Sequence, residues 1–98
     1  MNIERIKNGD ALTLALTGRL DTVTSPELDA IISSELDGVT DLTLDFAGLD
    51  YFSSAGLRVL LRAQKKMAAC GRMKLINVSQ IIMEIFEITG FSEILTVE

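Results

Sequence analysis

The stretch Leu49-Asp50-Tyr51-Phe52-Ser53-Ser54-Ala55-Gly56-Leu57 stands where a predicted strand gives way to a predicted helix. Before it, apolar and polar residues alternate over 40–46, which is the period of a strand with one buried face. After it, apolar residues recur at helical spacing until Gly71, which predicts a helix over about 54–69. The residues expected to face inward on this helix are Leu57, Leu60, Leu61 and Ala68. A strand followed directly by a helix is the repeating unit of α/β folds.

The same patterns predict the remaining elements. These are strands near 2–7, 11–17, 73–78 and 94–97, a helix from Thr24-Ser25-Pro26-Glu27 to Gly38, and a helix from a Ser79 cap to Gly90. Asn8-Gly9-Asp10 is a hairpin signal, because both central positions of a tight primed turn require positive φ. Gly18 is expected to break the second strand. The order ββαβαβαβ predicts an α/β fold with a mixed sheet, since helices between strands imply parallel, right-handed crossovers.

Length and composition restrict the kind of function. The 98 residues contain no linker and no repeat, so a single domain over 1–98 is expected. The absence of His and the presence of one Cys exclude a Ser-His-Asp triad, a His-ligated metal site and a disulfide framework. The hydrolase elbow G-x-S-x-G is absent because position 52 is Phe, and no glycine-rich phosphate loop occurs. We therefore expect no enzyme, no metal and no cofactor.

The net charge of −5 is unevenly distributed along the chain. Six of the nine cations lie within 58–74, which contains no acidic residue, so the rest of the chain carries 3 cations against 14 acids, or −11. A chain with this excess of acidic residues is expected to bind the phosphate backbone of nucleic acids poorly, so no nucleic-acid partner is expected. The basic stripe, which includes Arg58 and Arg62, is most simply a solvated helix face, with an acidic protein surface as the alternative.

Two features concern the compartment and the membrane. Cys70 has no second cysteine to pair with, and the N-terminus lacks a signal-peptide pattern, so a cytoplasmic protein is expected. The most apolar stretch, 81–88, is interrupted by Glu84 and Glu87, so no membrane insertion is expected. That stretch is expected to fill the core, with partner contact or self-association as alternatives.

Two segments, 18–24 and 47–54, follow strands and are therefore candidates for a binding site. A serine at a helix start is most simply a cap, because its oxygen accepts an unpaired backbone N–H. Gly56, however, costs about 1 kcal/mol relative to Ala inside a helix, which indicates that another backbone approaches closely. A helix start also favours an anion, including a phosphate attached to the serine itself.

Two motifs resemble a known family. Gly18-Arg19-Leu20-Asp21, followed by a helix and then by the run 50–61, is similar to the STAS domain of bacterial anti-sigma factor antagonists. The resemblance covers essentially the whole chain. In that family the phosphorylated serine lies two residues before a Gly-Leu pair, and the matching position is Ser54. Ser53 stands where the family often has Asp, which makes Ser53 a competing acceptor.

The resemblance implies a switch that needs no catalytic group in this chain. The unphosphorylated protein would bind an anti-sigma factor serine kinase and release the sigma factor, and phosphorylation of Ser54 by that kinase would weaken the complex. A PP2C-type phosphatase would reset the switch. The residues that the resemblance and the loop positions assign to partner binding are Asp21, Thr22, Ser53, Ser54, Gly56, Arg58 and Arg62.

Alternatives to this interpretation remain open at the level of sequence. Asp21 is equally a turn or cap residue before the first helix. The same fold also serves as a non-switching subunit of a membrane transport assembly of the ABC type, in which Ser54 would only cap a helix. A receiver-type phosphoacceptor aspartate, Asp45 or Asp50, is a third hypothesis, although the first strand is not followed by the acidic pair that such a domain needs.

Overall fold

The computed structural model describes Met1–Glu98 and places a four-stranded mixed sheet beneath three helices. The elements are β1 Asn2–Asn8, β2 Ala11–Leu20, α1 Ser25–Ser34, β3 Asp41–Phe52, α2 Ser54–Ala68, β4 Arg72–Ile76 and α3 Gln80–Thr89, followed by a 3-10 turn over Phe91–Glu93. The strands lie in the order β1-β2-β3-β4, with β1 antiparallel to β2 and the other two pairs parallel. The predicted α/β class with a mixed sheet is confirmed.

One face of the sheet forms the core. Leu12, Leu14 and Leu16 alternate along β2 and lie beside Leu42 and Leu44 of β3, all five buried. The intervening residues at 13, 15 and 43 remain partly exposed, so the helices cover one face and leave the other without a packing layer. A strand with one buried face alternates apolar and polar residues, and this pattern made the strands recognisable from the sequence.

The predicted hairpin is present, with a different turn geometry. Asn8 pairs with Ala11, so Gly9 and Asp10 form the two-residue turn. Only Gly9 has a positive φ, of 63°. This is the pattern of a II′ turn, which requires glycine at its first central position, and not of the I′ turn, in which both central residues have positive φ.

β2 and β3 run further than predicted. Gly18 does not break β2: it has φ 101° and pairs with Leu49 beside a register shift, so it forms a bulge within the strand. β3 continues to Phe52, and the expected loop over 47–54 is reduced to Ser53. Glycine in a strand marks a bulge as readily as an end, and the parallel partner supplies the hydrogen bonds that keep the strand extended.

Three further expectations were wrong. The first helix ends at Ser34 and not at Gly38. Ala68 is exposed, and Met67 is the buried residue near the end of α2. The final strand over 94–97 is a single bridge from Val97 to Leu75, because the amides of residues 94 and 95 turn back to Phe91 O. No helix combines the length and the apolar character that crossing a bilayer requires.

Candidate functional site

The carboxyl ends of β2 and β3 place two short segments side by side. Leu20 is the register partner of Phe52, and the Ser53 N–H donates to Leu20 O at 3.0 Å. Asp21 follows one strand and Ser53 follows the other, so the β2–α1 turn and the start of α2 emerge together. This is the edge at which parallel sheets bind ligands and partners.

Asp21 holds the β2–α1 turn in place. Its Oδ1 accepts the N–H groups of Val23 and Thr24, each at 3.0 Å, and the Thr24 hydroxyl at 3.1 Å. Its own N–H donates to Thr24 Oγ1 at 2.9 Å. This is the side-chain-to-backbone turn expected of an aspartate before a helix, so the turn interpretation of Asp21 agrees with the geometry.

These hydrogen bonds also affect the ionisation of Asp21. The pKa of the Asp21 carboxyl lies below its ordinary 3.8, and the largest cause is the hydrogen bond from the Thr24 backbone N–H. Desolvation raises the pKa, but the Thr24 hydroxyl, the Val23 N–H and Arg19 each lower it further. Bonds from N–H and O–H donors stabilise the carboxylate form. The segment therefore presents a negative charge beside α2.

The two serines at the start of α2 differ in exposure. Ser53 is the N-cap residue, yet its hydroxyl makes no cap hydrogen bond, and its Oγ is buried without any partner. Ser54 is the first helical residue and is exposed, and its hydroxyl has no hydrogen-bond partner in the chain. Capping, the simplest sequence interpretation of these serines, is therefore performed by neither of them. By contrast, Ser79 caps α3 as predicted, accepting the Ile82 N–H at 3.4 Å.

Gly56 seats the first turn of α2 on the sheet. A Cβ at this position would lie 2.9 Å from Leu20 Cδ2 and 3.0 Å from Phe52 Cε1. The close approach predicted from the glycine is present, but the neighbours are side chains and not another backbone. Gly56 is buried, so its contribution to the site is to set the height of Ser54 above the sheet.

A groove between α1 and α2 runs from the site along the helices. It encloses about 320 Å³, and its lining includes Thr22, Asp29, Arg58 and Arg62. Arg62 Nη1 donates to both carboxylate oxygens of Asp29, at 2.6 and 2.7 Å, which joins the two helices. Arg58 lies one turn after Ser54 and forms no ion pair, so it is the unpaired cation nearest the start of α2.

Sequence reasoning missed a stacked pair at the same edge. The Arg19 guanidinium lies 4.1 Å from the centre of the Tyr51 ring, within cation–π distance. The two residues are register partners on β2 and β3, and Tyr51 is 43% exposed. Extending both strands past their glycines would have placed these side chains together, but the sequence interpretation ended the strands too early.

Other predicted residues lie away from this edge or have structural partners. Asp45 Oδ1 accepts the Ala47 N–H at 2.9 Å and the Asn77 amide at 3.0 Å, and so stabilises the irregular part of β3. Lys66 Nζ donates to the carbonyl groups of Ile32 and Ser33 at the end of α1. The basic stripe is therefore partly engaged within the chain.

Comparison with known proteins agrees with this architecture. The protein BtrV of Bordetella bronchiseptica is 42% identical over 57 residues, which are 57% of this chain and about half, 49%, of BtrV. An anti-sigma-B factor antagonist of Staphylococcus epidermidis is 28% identical over 99 residues, covering 99% of this chain and 92% of that protein. The structure of Bacillus SpoIIAA in its phosphorylated form is similar in fold, with a TM-score of 0.78 at 22% identity, covering 99% of this chain and 91% of SpoIIAA. The STAS domain model matches residues 2–98, and the chain therefore belongs to the STAS domain family.

Proposed function

We propose that this protein is a cytoplasmic anti-sigma factor antagonist, a single-domain binding switch and not an enzyme, controlled by phosphorylation of Ser54. In its unphosphorylated form it binds an anti-sigma factor serine kinase, which then releases the sigma factor. A PP2C-type phosphatase restores the unphosphorylated form. Support comes from the S. epidermidis antagonist, which matches nearly the whole chain, and from SpoIIAA, solved in unphosphorylated and phosphorylated forms.

The exposure of the Ser54 hydroxyl at the first residue of α2 carries this proposal. A kinase must bring the hydroxyl oxygen into line with the γ-phosphate of ATP, which requires a hydroxyl that is reachable and free. The Ser54 side chain meets this requirement, whereas Ser53 Oγ is buried. We therefore assign the phosphate to Ser54 and a positioning role to Ser53.

The chemistry of the transfer is supplied by the partner. The Ser54 Oγ–P bond forms while the bond from the γ-phosphorus to the bridging oxygen breaks, ADP leaves, and the hydroxyl proton passes to a base of the kinase. This chain has no His to act as that base. Its contribution is to present the hydroxyl on a rigid helix end, which the Ser53 N–H to Leu20 O bond and the Gly56 seat provide.

Phosphorylation then changes the charge of the docking surface. It adds about −1.5 to −2 charges, which moves the net charge from −5 to about −7. The helical hydrogen bonds of α2 begin with the Gly56 and Leu57 N–H groups, which donate to Ser53 O, so the amides of Ser54 and Ala55 are left to hold the phosphate together with Arg58. A partner surface that packs closely on a neutral hydroxyl must then accommodate a desolvated anion, and each 1.4 kcal/mol of mismatch weakens the complex about tenfold.

The proposed docking surface consists of the two strand ends and the adjoining part of α2. Asp21 and Thr22 present the β2–α1 turn beside Ser54, and Arg58 and Arg62 continue the surface along the groove. The transport-subunit alternative assigns Ser54 only a capping role. A residue at the first helical position cannot serve as the N-cap, and the actual N-cap, Ser53, makes no side-chain cap bond.

Phosphorylation is tested by incubating the protein with ATP and an anti-sigma factor serine kinase from the same organism. Intact-mass measurement should show one added phosphate on the wild type and on Ser53→Ala, and none on Ser54→Ala. Ser53→Ala is the matched control, because it removes the adjacent hydroxyl. A phosphate on Ser54→Ala that is lost in Ser53→Ala would transfer the assignment to Ser53.

Binding is tested with the same kinase by calorimetry. Ser54→Ala should retain the affinity of the unphosphorylated protein, and Ser54→Asp should bind at least about tenfold more weakly, because one charge is placed in a packed interface. Arg58→Gln should not restore binding of Ser54→Asp. Equal affinities for the Ala and Asp variants would contradict a charge-controlled switch.

A further inference from the structure

The outer face of α3 carries an apolar stripe that the fold leaves uncovered. Ile81 and Ile88 are 73% and 86% exposed, and Ile85 between them is partly buried. The spacing i, i+4, i+7 places the three side chains on one face of the helix. Single exposed apolar residues need no explanation, but an aligned group on one helix face marks an interaction surface.

α3 holds this stripe in a fixed position, and of its three residues only Ile85 also packs against the edge of the core. Its buried side chains are Ile82 and Phe86, and the Phe86 ring packs edge-on against Phe52 with centroids 5.6 Å apart. The helix is capped at one end by Ser79 and at the other by Gly90, which has φ 81°. The isoleucine stripe is therefore presented by a helix that is anchored through a different face.

The charges beside the stripe indicate what covers it. Glu84 and Glu87 are exposed on α3, and neither forms an ion pair. From residue 75 to the C-terminus the chain carries four acidic residues and no Lys or Arg. Unpaired acids next to an exposed apolar stripe are complementary to a surface that combines apolar and basic side chains.

A second copy of this chain is a poorer match, because Ile6, exposed between Arg5 and Lys7 on β1, is a single apolar side chain and Arg5 already pairs with Glu35. If two copies paired through the same face of α3, the glutamates of both would be brought together, and like charges across an interface are unfavourable. The basic helix α2 exposes no large apolar side chain, and its Arg62 and Lys66 already have partners within the chain. Each way of pairing two copies therefore lacks either the complementary charge or the apolar area.

We propose that α3 docks a basic amphipathic helix of another protein. The apolar residues of that helix lie on Ile81, Ile85 and Ile88, and its lysine or arginine residues face Glu84 and Glu87. This is the helix-to-helix mode of recognition, with apolar anchors at i, i+4 and i+7. The stripe shares no residue with the docking surface proposed around Ser54, so this proposal stands whether or not that serine is phosphorylated.

The test uses two synthetic helical peptides of about 18 residues, long enough to populate a helix when bound. Both carry Leu at every third or fourth position; one has Lys on the flanks and the other has Glu. Each is titrated into the full-length, ¹⁵N-labelled protein, and amide shifts are mapped. The Lys peptide should shift residues of α3, and the Glu peptide should bind at least about tenfold more weakly, as expected for like charges at an interface.

Variants of the protein locate the contact. Ile81→Ser with Ile88→Ser should weaken binding of the Lys peptide at least about tenfold, because anchor side chains dominate such interfaces. Ile6→Ser is the matched control, since Ile6 is 51% exposed on β1, away from α3, and it should leave binding unchanged. Glu84→Lys with Glu87→Lys should reverse the preference between the two peptides. Circular dichroism verifies that each variant is folded.

Several results would overturn the proposal. Shifts that map to other elements, equal binding of both peptides, or no binding of the Lys peptide would each do so. Sedimentation velocity tests whether a second copy of the chain occupies the stripe instead. A wild-type dimer that becomes monomeric in Ile81→Ser with Ile88→Ser would show that it does.

Discussion

Replacing Gly56 by alanine tests how closely the start of α2 is seated on the sheet. The added Cβ would lie 2.9 and 3.0 Å from Leu20 Cδ2 and Cγ, and 3.0 Å from Phe52 Cε1. These distances are shorter than the optimal carbon–carbon separation of about 3.5–4.0 Å. Leu20 is fully buried and Phe52 is 6% exposed, so neither side chain has free space into which to move.

Two opposing effects determine the change in the free energy of unfolding. Overpacking a filled core costs about 1–3 kcal/mol. Alanine in place of glycine gains about 1 kcal/mol of helix propensity. We therefore expect Gly56→Ala to lower the free energy of unfolding by about 1 kcal/mol, with an unchanged dependence on denaturant, as measured by urea unfolding followed by circular dichroism.

A double-mutant cycle separates the clash from the propensity gain. Leu20→Ala removes both leucine atoms nearest the new Cβ, at a cost of about 2–5 kcal/mol for the truncation itself. In that background Gly56→Ala should be less destabilising by about 1 kcal/mol or more, because contacting residues couple. A stabilising effect in the wild type, or the same effect in both backgrounds, would refute the close seating of α2.

Three further predictions concern polar side chains at the ends of the helices. Ser53→Ala should change the free energy of unfolding by less than about 0.5 kcal/mol, whereas Ser79→Ala should lower it by about 1 kcal/mol. The reason is that only Ser79 caps its helix, and urea unfolding of both variants under the same conditions measures the difference. The pKa of Asp21 is held below its ordinary 3.8, mainly by the Thr24 N–H, so its contribution to stability is present above that pH and is lost as the pH falls through the lower folded value. Asp21→Asn should therefore flatten the stability curve at pH values below 3.8 and leave its slope near neutral pH unchanged. Lys66→Met should lower the free energy of unfolding by about 0.3–1 kcal/mol, an effect that salt reduces, because the ammonium group caps the last carbonyl groups of α1.

The helices and the central strand faces were predictable because their signals are local. The period of two in β2 and β3 reports a sheet with one buried face, and the apolar spacing of α2 reports a helix that packs on it. Ser79 and Gly90 bound α3 as predicted, since caps act within a few residues. These features depend on contacts that the neighbouring sequence itself supplies.

Strand ends depended on contacts that lie far apart in the chain. Gly18 and Gly48 resemble strand breakers locally, but each lies inside a strand, where the parallel partner provides hydrogen bonds across register shifts. A Cβ at Gly48 would lie 3.1 Å from Leu16 O, so this glycine permits the two backbones to approach. Neither the bulges nor the Arg19–Tyr51 contact that follows from them can be obtained from a single segment.

The structure brings together the two segments that the sequence named as candidates, but the distinction between the two serines required the structure. Ser53 and Ser54 are the same residue type at the same helix start, and the resemblance to a family places both near the acceptor position. The difference arises because the Ser53 N–H is bonded to Leu20 O, which directs that residue toward the sheet, while the next residue begins the exposed helix surface. Burial therefore separates two hydroxyls that the sequence presents as equivalent.

In the proposed switch, the surroundings of Ser54 favour a change of surface charge over a change of fold. Ser54 Oγ makes no hydrogen bond within the chain, so a phosphate on it would break none. The elements that fix its position are the bond between the strand ends, the Asp21 turn and the Gly56 seat, and all of them involve other atoms. A rigid domain with one free hydroxyl at a helix start can therefore carry two states that differ in charge while sharing one fold, and the difference is read by whatever surface packs against it.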